Sequence, residues 1–332
     1  MNEPVAKKNN IFKTFVSSGE FRVLVPLLII VLVTVIFKPA FLAWTNIKSL
    51  YTTIPFIAII ALGAAFPLMT GNVDISTGRV AGLGGIVFAL GISQLGLPWY
   101  VSLILTLVIC AVVGIINGFM VVILNVPDFV ATMATLNICG AVRYLVLPKG
   151  IIDIDLTKHA NFGLTGLAQD KFTFLDLPFQ FWLMVLMFIV AYIVIKKTTW
   201  GRKLLAVGDN REVAAMSGFN VRNIRLEAYL ISALLACVCG VVTTIAYQIG
   251  YPAIGDGWEF KAIAGCVVGG VSLAGGKGSP LGIFLGVSLV FFAENAIIFF
   301  GLPTVLKSAV QGTVMAAAVM YETVMERRKI KA

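Results

Sequence analysis

A single histidine, His159, is all the imidazole this 332-residue sequence offers, and charged residues make up only 12% of it. With so few general acids and bases, and no recognisable partner for His159, a surface-loop histidine is the simplest reading, and catalysis by this chain alone is disfavoured. A nucleophile elbow and a zinc-protease signature are both missing. The run GVSLAGGKGS (270–279) has the outline of a phosphate loop, but Lys277 is followed by Gly278 where a Ser or Thr hydroxyl is required. GLGG (82–85) lacks the third glycine and the strand of a dinucleotide fingerprint. The five cysteines, Cys110, Cys139, Cys237, Cys239 and Cys266, lie inside apolar runs. They read as small buried hydrophobes, with no companion ligands for a metal set and no expected cofactor bound by the chain itself.

What the sequence has in abundance is apolar residues, 59% of the chain. A soluble domain is nearer half apolar and a quarter charged. The runs are long and continuous, which points to an all-α integral membrane protein and excludes the alternating pattern of an outer-membrane barrel. Spans are expected near 22–43, 54–70, 78–96, 99–124, 129–147, 179–197, 228–248, 261–275, 280–300 and 303–325. That gives about ten, within a range of eight to ten, in a single transmembrane domain over 1–332.

The net charge of +9 gathers in three places: Lys7, Lys8, Lys13 and Arg22; Lys196 to Arg225; and Arg327, Arg328, Lys329 and Lys331. With ten crossings all three clusters fall on one side, which the positive-inside rule makes cytoplasmic. The expected layout is a retained cytoplasmic tail (1–21), cytoplasmic termini, a cytoplasmic segment at 198–227, and extracytoplasmic segments at 148–178 and 249–260. A basic face with stacking aromatics is absent, so nucleic acid is not an expected partner; the lipid bilayer is. Phe291, Phe292, Phe299 and Phe300 read as lipid or core packing.

Two spans look defective. Residues 68–85 set Asp74 and Arg79 among glycines, and 259–282 is short, rich in small residues and headed by Glu259, Phe260 and Lys261. Irregular backbone at membrane depth survives only inside protein or beside a water-filled cavity. Paired interrupted segments, one in each half of the chain, point to a transport path; tight helix packing alone is the other reading. Glu294, Asn295 and Asn117 are polar groups within spans, open either to a pathway or subunit role or to structural hydrogen bonding.

The segment TTWGRKLLAVGDNREVAAMSGFNVRNIRL (198–226) is the most polar in the second half. Asp209 and Glu212 have capping-box spacing and Gly218 is a natural left-handed stop, so the sequence predicts a short helix from Asn210 to Ser217. Val213 and Met216 share a face. A helix that short needs packing from its own chain or from a partner.

Read from Thr198 to Val221, T-x-x-G-R-x-x-x-A-V-G-x-N-x-x-x-A-x-x-S-G-x-x-V resembles the cytoplasmic loop of ribose-type ABC importer permeases. GNVDISTG (71–78), NGFMVVILNVPDFVATMATL (117–136) and GDGWEFKAIAGCVVGGVSLAGGKGS (255–279) agree with the same family in the same order. The resemblance implies a bacterial plasma-membrane permease subunit without its own ATPase site. Its implied partners are a cytoplasmic ABC ATPase that holds ATP and Mg, an extracytoplasmic substrate-binding protein, and a second permease subunit, a homodimer being favoured over a heterodimer.

The loop is then a coupling helix that docks on the ATPase. The coupling residues are Gly201, Arg202, Gly208, Asp209, Asn210, Glu212, Val213, Ala215, Met216, Ser217 and Gly218. Path or gate candidates are Asn72, Asp74, Ser76, Asn117, Glu259, Phe260, Lys261, Glu294 and Asn295. Arg79 and Lys261 depart from the family, which has Ser and Asp there, and Pro127-Asp128 stands at the proline pair near the fourth loop. The two cations are open to pairing with Asp74 and Glu259, to an anionic substrate or to another subunit. A related permease for nucleosides, branched-chain amino acids or a sugar-derived signal stays open, as does an ion-coupled secondary transporter using Asp74.

Overall fold

A computed structural model describes residues 19–148, 150–154, 176–313, 316 and 320. The tail before residue 19, His159, Asp155, Asp170, the C-terminal basic cluster and the later part of the expected span 303–325 (apart from 316 and 320) lie outside them. The described residues are mostly helical. Helix α1 is Gly19–Phe37, followed by a 3₁₀ turn, Pro39–Leu42. Then come α2 (Trp44–Met69), α3 (Thr77–Ser93), α4 (Trp99–Gly118) with a π turn at Phe119–Ile123, and α5 (Asp128–Val146). After strand β1 (Ile152–Asp153) come α6 (Phe179–Lys197), α7 (Thr199–Asp209), α8 (Arg211–Met216) and α9 (Val221–Tyr247). Strand β2 (Ile249–Gly250), α10 (Trp258–Val268) and α11 (Pro280–Phe299) follow.

Six of these helical stretches are long and apolar enough to cross a bilayer: α2, α4 with its π turn, α5, α6, α9 and α11. Residues Val23–Phe37 and α3 are shorter apolar helices. The chain is therefore a multi-pass membrane protein. The expected span 261–275 is not one helix: α10 has only 11 residues, stops at Val268, and leaves 269–279 non-helical. The glycines of that stretch are the physical reason, because they do not hold helix against the backbone freedom they carry.

Helices α2 and α9 form the centre. Of their most apolar windows, 89% and 72% of residues are buried, against 28% for the peripheral α6. A helix apolar on all sides is buried by other helices, and in a membrane close approach requires small residues. The sequence ALGAA (61–65) of α2 meets SALLACVCG (232–240) of α9. Each central helix also packs on the short helix of the other half, α2 on α10 and α9 on α3. Helix–break–short helix thus occurs twice, in α2–α3 and in α9–α10, once in each half of the chain. The Phe41 ring, fully buried, stands edge-on to Phe292 and Phe299 at 6.0 and 5.2 Å, which packs the aromatics of α11 as expected.

One end of the bundle is marked by β1 and β2, an antiparallel pair with Ile152 opposite Gly250. At the same end the Ser93 hydroxyl donates to the Asp153 carbonyl at 3.0 Å. Asp176 accepts from the Trp44 indole at 2.9 Å and from Lys48 at 3.2 Å, and these partners hold its carboxyl below the ordinary aspartate range. The other end carries α7 and α8.

The tightest helix crossing yields a prediction. A Cβ at Gly240 of α9 would run into the Ala81 carbonyl of α3. Gly240→Ala is expected to cost about 1–3 kcal/mol and lower the thermal midpoint of the detergent-solubilised protein by about 5 °C. Gly312→Ala, where nothing lies within contact distance, should leave it unchanged. Equal midpoints for the two variants would contradict this packing.

Candidate functional site: a helix tied to two backbone breaks

The segment after Lys197 contains two helices where the sequence reading gave one. The Thr198 hydroxyl accepts the Gly201 N–H at 3.2 Å and caps α7. Leu204 and Val207, three apart, bury against the bundle, and Gly201 sits so close to the Val194 and Ile195 carbonyls that a Cβ would collide with them. Arg202 is exposed. The cap of α8 is Asn210, not Asp209. Its side-chain oxygen accepts from the N–H groups of Glu212 and Val213 at 3.0 Å each, while Asp209 is the last residue of α7. The one-residue shift arises because Asn210 is the extended hinge between the two helices.

The far end of α8 closes as expected. Gly218 has φ +79°, the Phe219 N–H donates to the Ala214 carbonyl at 3.1 Å, and the Gly218 N–H donates to Ala215 at 2.9 Å. This is the paired bonding of a Schellman stop. The Ser217 hydroxyl donates to the Val213 carbonyl at 2.9 Å. Ala214 is the buried residue of α8; Ala215 is exposed, and so are Val213 (57%) and Met216 (85%). Both ends of the helix are fixed, and its apolar face is uncovered.

Behind that face lies a junction of three loops. Arg211 donates through one guanidinium nitrogen to the carbonyls of Thr70 and Gly71, both at 3.1 Å, and to the Asn72 side-chain oxygen at 3.2 Å. It thereby satisfies carbonyls that α2 leaves unpaired at its end. Gly208 lies against the Met69 carbonyl and the Gly276 amide, where a Cβ would not fit, and the Gly276 N–H donates to Met69 at 3.0 Å. The break after α2 and the break after α10 therefore both touch the α7–α8 corner. Arg225 of α9 adds a bond to Asn72 at 3.0 Å.

From Asn72 inward, the 70–76 break is held by a buried polar chain. Asp128 accepts the Val73 N–H at 2.7 Å and the Asn72 amide at 3.3 Å. Asp74 accepts from the Ser76 N–H (3.0 Å), the Ser76 hydroxyl (2.6 Å) and the Ser232 hydroxyl (2.8 Å). Asn117 donates to the Ser76 hydroxyl at 2.9 Å and accepts from Thr135 at 2.5 Å. Asp74, Ser76 and Asn117 are thus one connected set, and Asn72 with Asp128 holds the start of the same break.

The other candidates are elsewhere. Arg79 does not pair with Asp74: it lies 3.4 Å from Asp256 and donates to Asn137 at 3.1 Å. Lys261 pairs with Glu294 at 2.7 Å rather than with Glu259. Asn295 donates to Asn46 at 2.9 Å, Phe260 is half exposed, and Glu259 is buried. In both cases the pairing follows position. Residues 251–257 turn inward and bring Asp256 to Arg79, whereas Lys261 lies one turn beyond Gly257 on the side facing α11.

Comparison with known proteins agrees with this architecture. The family model for the branched-chain amino acid transport system / permease component matches residues 46–319. The chain belongs to this permease family. The permease is also 28% identical to the ribose import permease protein of Escherichia coli (strain K12), over 91% of its own length and 93% of that protein. It is 31% identical to the autoinducer 2 import system permease protein of Enterobacter sp. (strain 638), over 93% and 88%. To the L-arabinose transport system permease protein of Escherichia coli (strain K12) it is 27% identical, over 93% and 92%. No solved structure matches it.

Several residues of the permease site escaped the sequence reading. Arg211, Arg225 and Ser232 act across more than 130 residues of chain, and one sequence carries no sign of such pairings. Arg143 could have been found: it is a cation inside an expected span, and such a residue is a functional candidate by position alone. Asp128 had a weaker signal, an acid at the first turn of a helix after a proline.

Arg211→Ala leaves the carbonyls of Thr70 and Gly71 without this partner, at a cost of about 1–3 kcal/mol. Amide hydrogen exchange in 69–76 should then accelerate while exchange in the core of α9 stays constant. Unchanged exchange at 69–76 would show that Arg211 does not hold the break.

Proposed function

We propose that this chain is the membrane-spanning permease subunit of an ATP-driven ABC importer for a monosaccharide or a related polar small molecule. Two such subunits surround one path in the bacterial plasma membrane. A substrate-binding protein delivers solute from outside, and cytoplasmic ABC ATPase domains bind ATP and Mg and supply the work. The termini and the 198–227 segment face the cytoplasm, where the lysines and arginines of that segment belong. The sugar-like substrate class rests on the ribose, arabinose and autoinducer-2 permeases that the chain resembles.

One observation carries the mechanism. Helix α8 has both ends bonded, an uncovered Val213–Met216 face, and a bond from its first residue to the break after α2, while the Gly208 corner just before it lies against the break after α10. A six-residue helix is not stable alone. Its cap at Asn210, its stop at Gly218 and its anchor through Arg211 make it rigid enough to transmit force, and the apolar face gives the ATPase something to hold. Movement of α8 then pulls on Thr70–Asn72 through Arg211 and on Gly276 through Gly208. Those contacts lead to the helix breaks where a path through the bundle opens. The ion-coupled alternative is weakened by the surroundings of Asp74, whose carboxylate already has three donors from Ser76 and Ser232.

Met216→Asp places a charge on the docking face without touching the bundle. In proteoliposomes holding the permease with its ATPase, uptake should fall roughly tenfold or more, as removal of an interface anchor worth about 2 kcal/mol implies. The variant should still insert, and the ATPase should still hydrolyse ATP. Gly218→Pro, which cannot adopt φ +79°, should uncouple in the same way. Wild-type uptake in both variants would refute the role given to α8.

A further inference from the structure

Far from α8, arginines from two helices converge on one carboxylate from a third segment. The fully buried Arg143 of α5 bonds Asp256 at 2.5 Å with one guanidinium nitrogen and the Ile254 carbonyl at 2.5 Å with the other. Arg79 of α3 approaches the same Asp256 oxygen at 3.4 Å. The two arginines reach across each other's helix. Arg143 lies over Gly82 of α3 and Arg79 over Gly140 of α5, with no room for a Cβ at either glycine. Asp256 belongs to the 251–257 loop from the second half of the chain, which is pressed backbone to backbone against α3, Gly255 on Gly78. Glu259, one turn further on, is buried with one carboxylate oxygen unbonded, and the Arg143 Nε has no hydrogen-bond partner either; the Arg79 Nε is the atom that faces Asp256.

This cluster is expensive as a mere fastening. Packing could hold α3 to α5 without one fully buried cation and a second partly buried beside it, and charges inside a membrane protein belong beside partners or a water-filled path. Its open edge supports the second choice: Arg79, Asn137 and Asp256 are partly exposed on a face otherwise lined by apolar side chains such as Val130 and Met133. Lipid is a poor neighbour for such an edge; an aqueous path is a suitable one. Within the loop Asp256 is flanked by Gly255 and Gly257 at φ +85° and +78°, backbone freedom that lets the carboxylate be carried away.

We infer that Arg79, Arg143 and Asp256 form an ionic clasp that holds the 251–257 loop closed across the solute path, and that transport requires its release. The inference rests on the reading of the chain as a permease. The three are positioning residues that act through the loop. Release separates the two guanidinium groups from Asp256 and uncovers the unbonded groups now packed behind it, which water or solute then satisfies.

The test is passive leak, which a purely structural pin would not change. Proteoliposomes containing the complete transporter are loaded with radiolabelled D-ribose, and efflux is followed without nucleotide. Asp256→Asn should raise efflux roughly tenfold, what a barrier lowered by about 1.4 kcal/mol gives. Arg79→Gln, which spares the Arg143–Asp256 pair, should raise it less and serves if Asp256→Asn fails to fold. Lys48→Gln, which breaks an exposed ion pair at the end of the bundle, should leave efflux at the wild-type rate. Unchanged efflux in the folded Arg79→Gln and Asp256→Asn proteins would overturn the clasp. So would loss of folding in both, or an equal rise in Lys48→Gln. ATP-driven uptake is measured on the same wild-type vesicles: its absence counts against the importer reading, while the leak alone judges the clasp.

Discussion

Backbone that leaves the helix inside a membrane must find its hydrogen-bond partners within the protein, and that constraint shapes this permease. The chain breaks helix at 70–76 and at 269–279, and each break is supported by groups far away in sequence. Asp74, Asp128, Ser232 and Arg211 serve the first; Met69 and the close approach of Gly208 serve the second. Single buried hydrogen bonds contribute only about 1 kcal/mol net, but an unpartnered buried group costs more than that. The breaks therefore persist only while these particular neighbours stay in place, which couples each break to whatever moves its neighbours.

That coupling explains the placing of α8. A short helix on the outside of a bundle would ordinarily be a poorly determined element. Here it begins one residue after a corner, Gly208 to Asn210, that touches both breaks, and its first residue is the arginine that bonds the end of α2. The small-residue crossings of α2 and α9 pack the centre closely, so in the proposed mechanism a pull at the corner would be taken up by the breaks rather than by the core. The charged groups around Asp256 lie away from both breaks, in the connection between α9 and α10, and there they join the two halves of the chain.

Much of this architecture was legible in the sequence because it depends on local composition. Long apolar runs gave the helices, glycine density located both breaks, and Asn210 to Gly218 announced a short helix with a defined stop. Helix α7 was missed because Leu204 and Val207 give only a brief apolar stripe among polar residues, although Thr198 stood ready as its cap. The cap at Asp209 was misplaced by one residue for the same reason: with α7 unseen, nothing marked Asp209 as its last residue. Ion pairing was illegible. Arg79 could as well have faced Asp74, nearby in sequence, as Asp256, and only the inward turn of 251–257 decides between them.

The central claim is that α8 and both helix breaks move together. Hydrogen exchange across the whole permease, in the assembled transporter with and without ATP, tests it most directly. The account predicts that protection at 69–76 and at 269–279 changes in the same step as protection at 211–216. A change confined to α8, with both breaks indifferent to nucleotide, would contradict it.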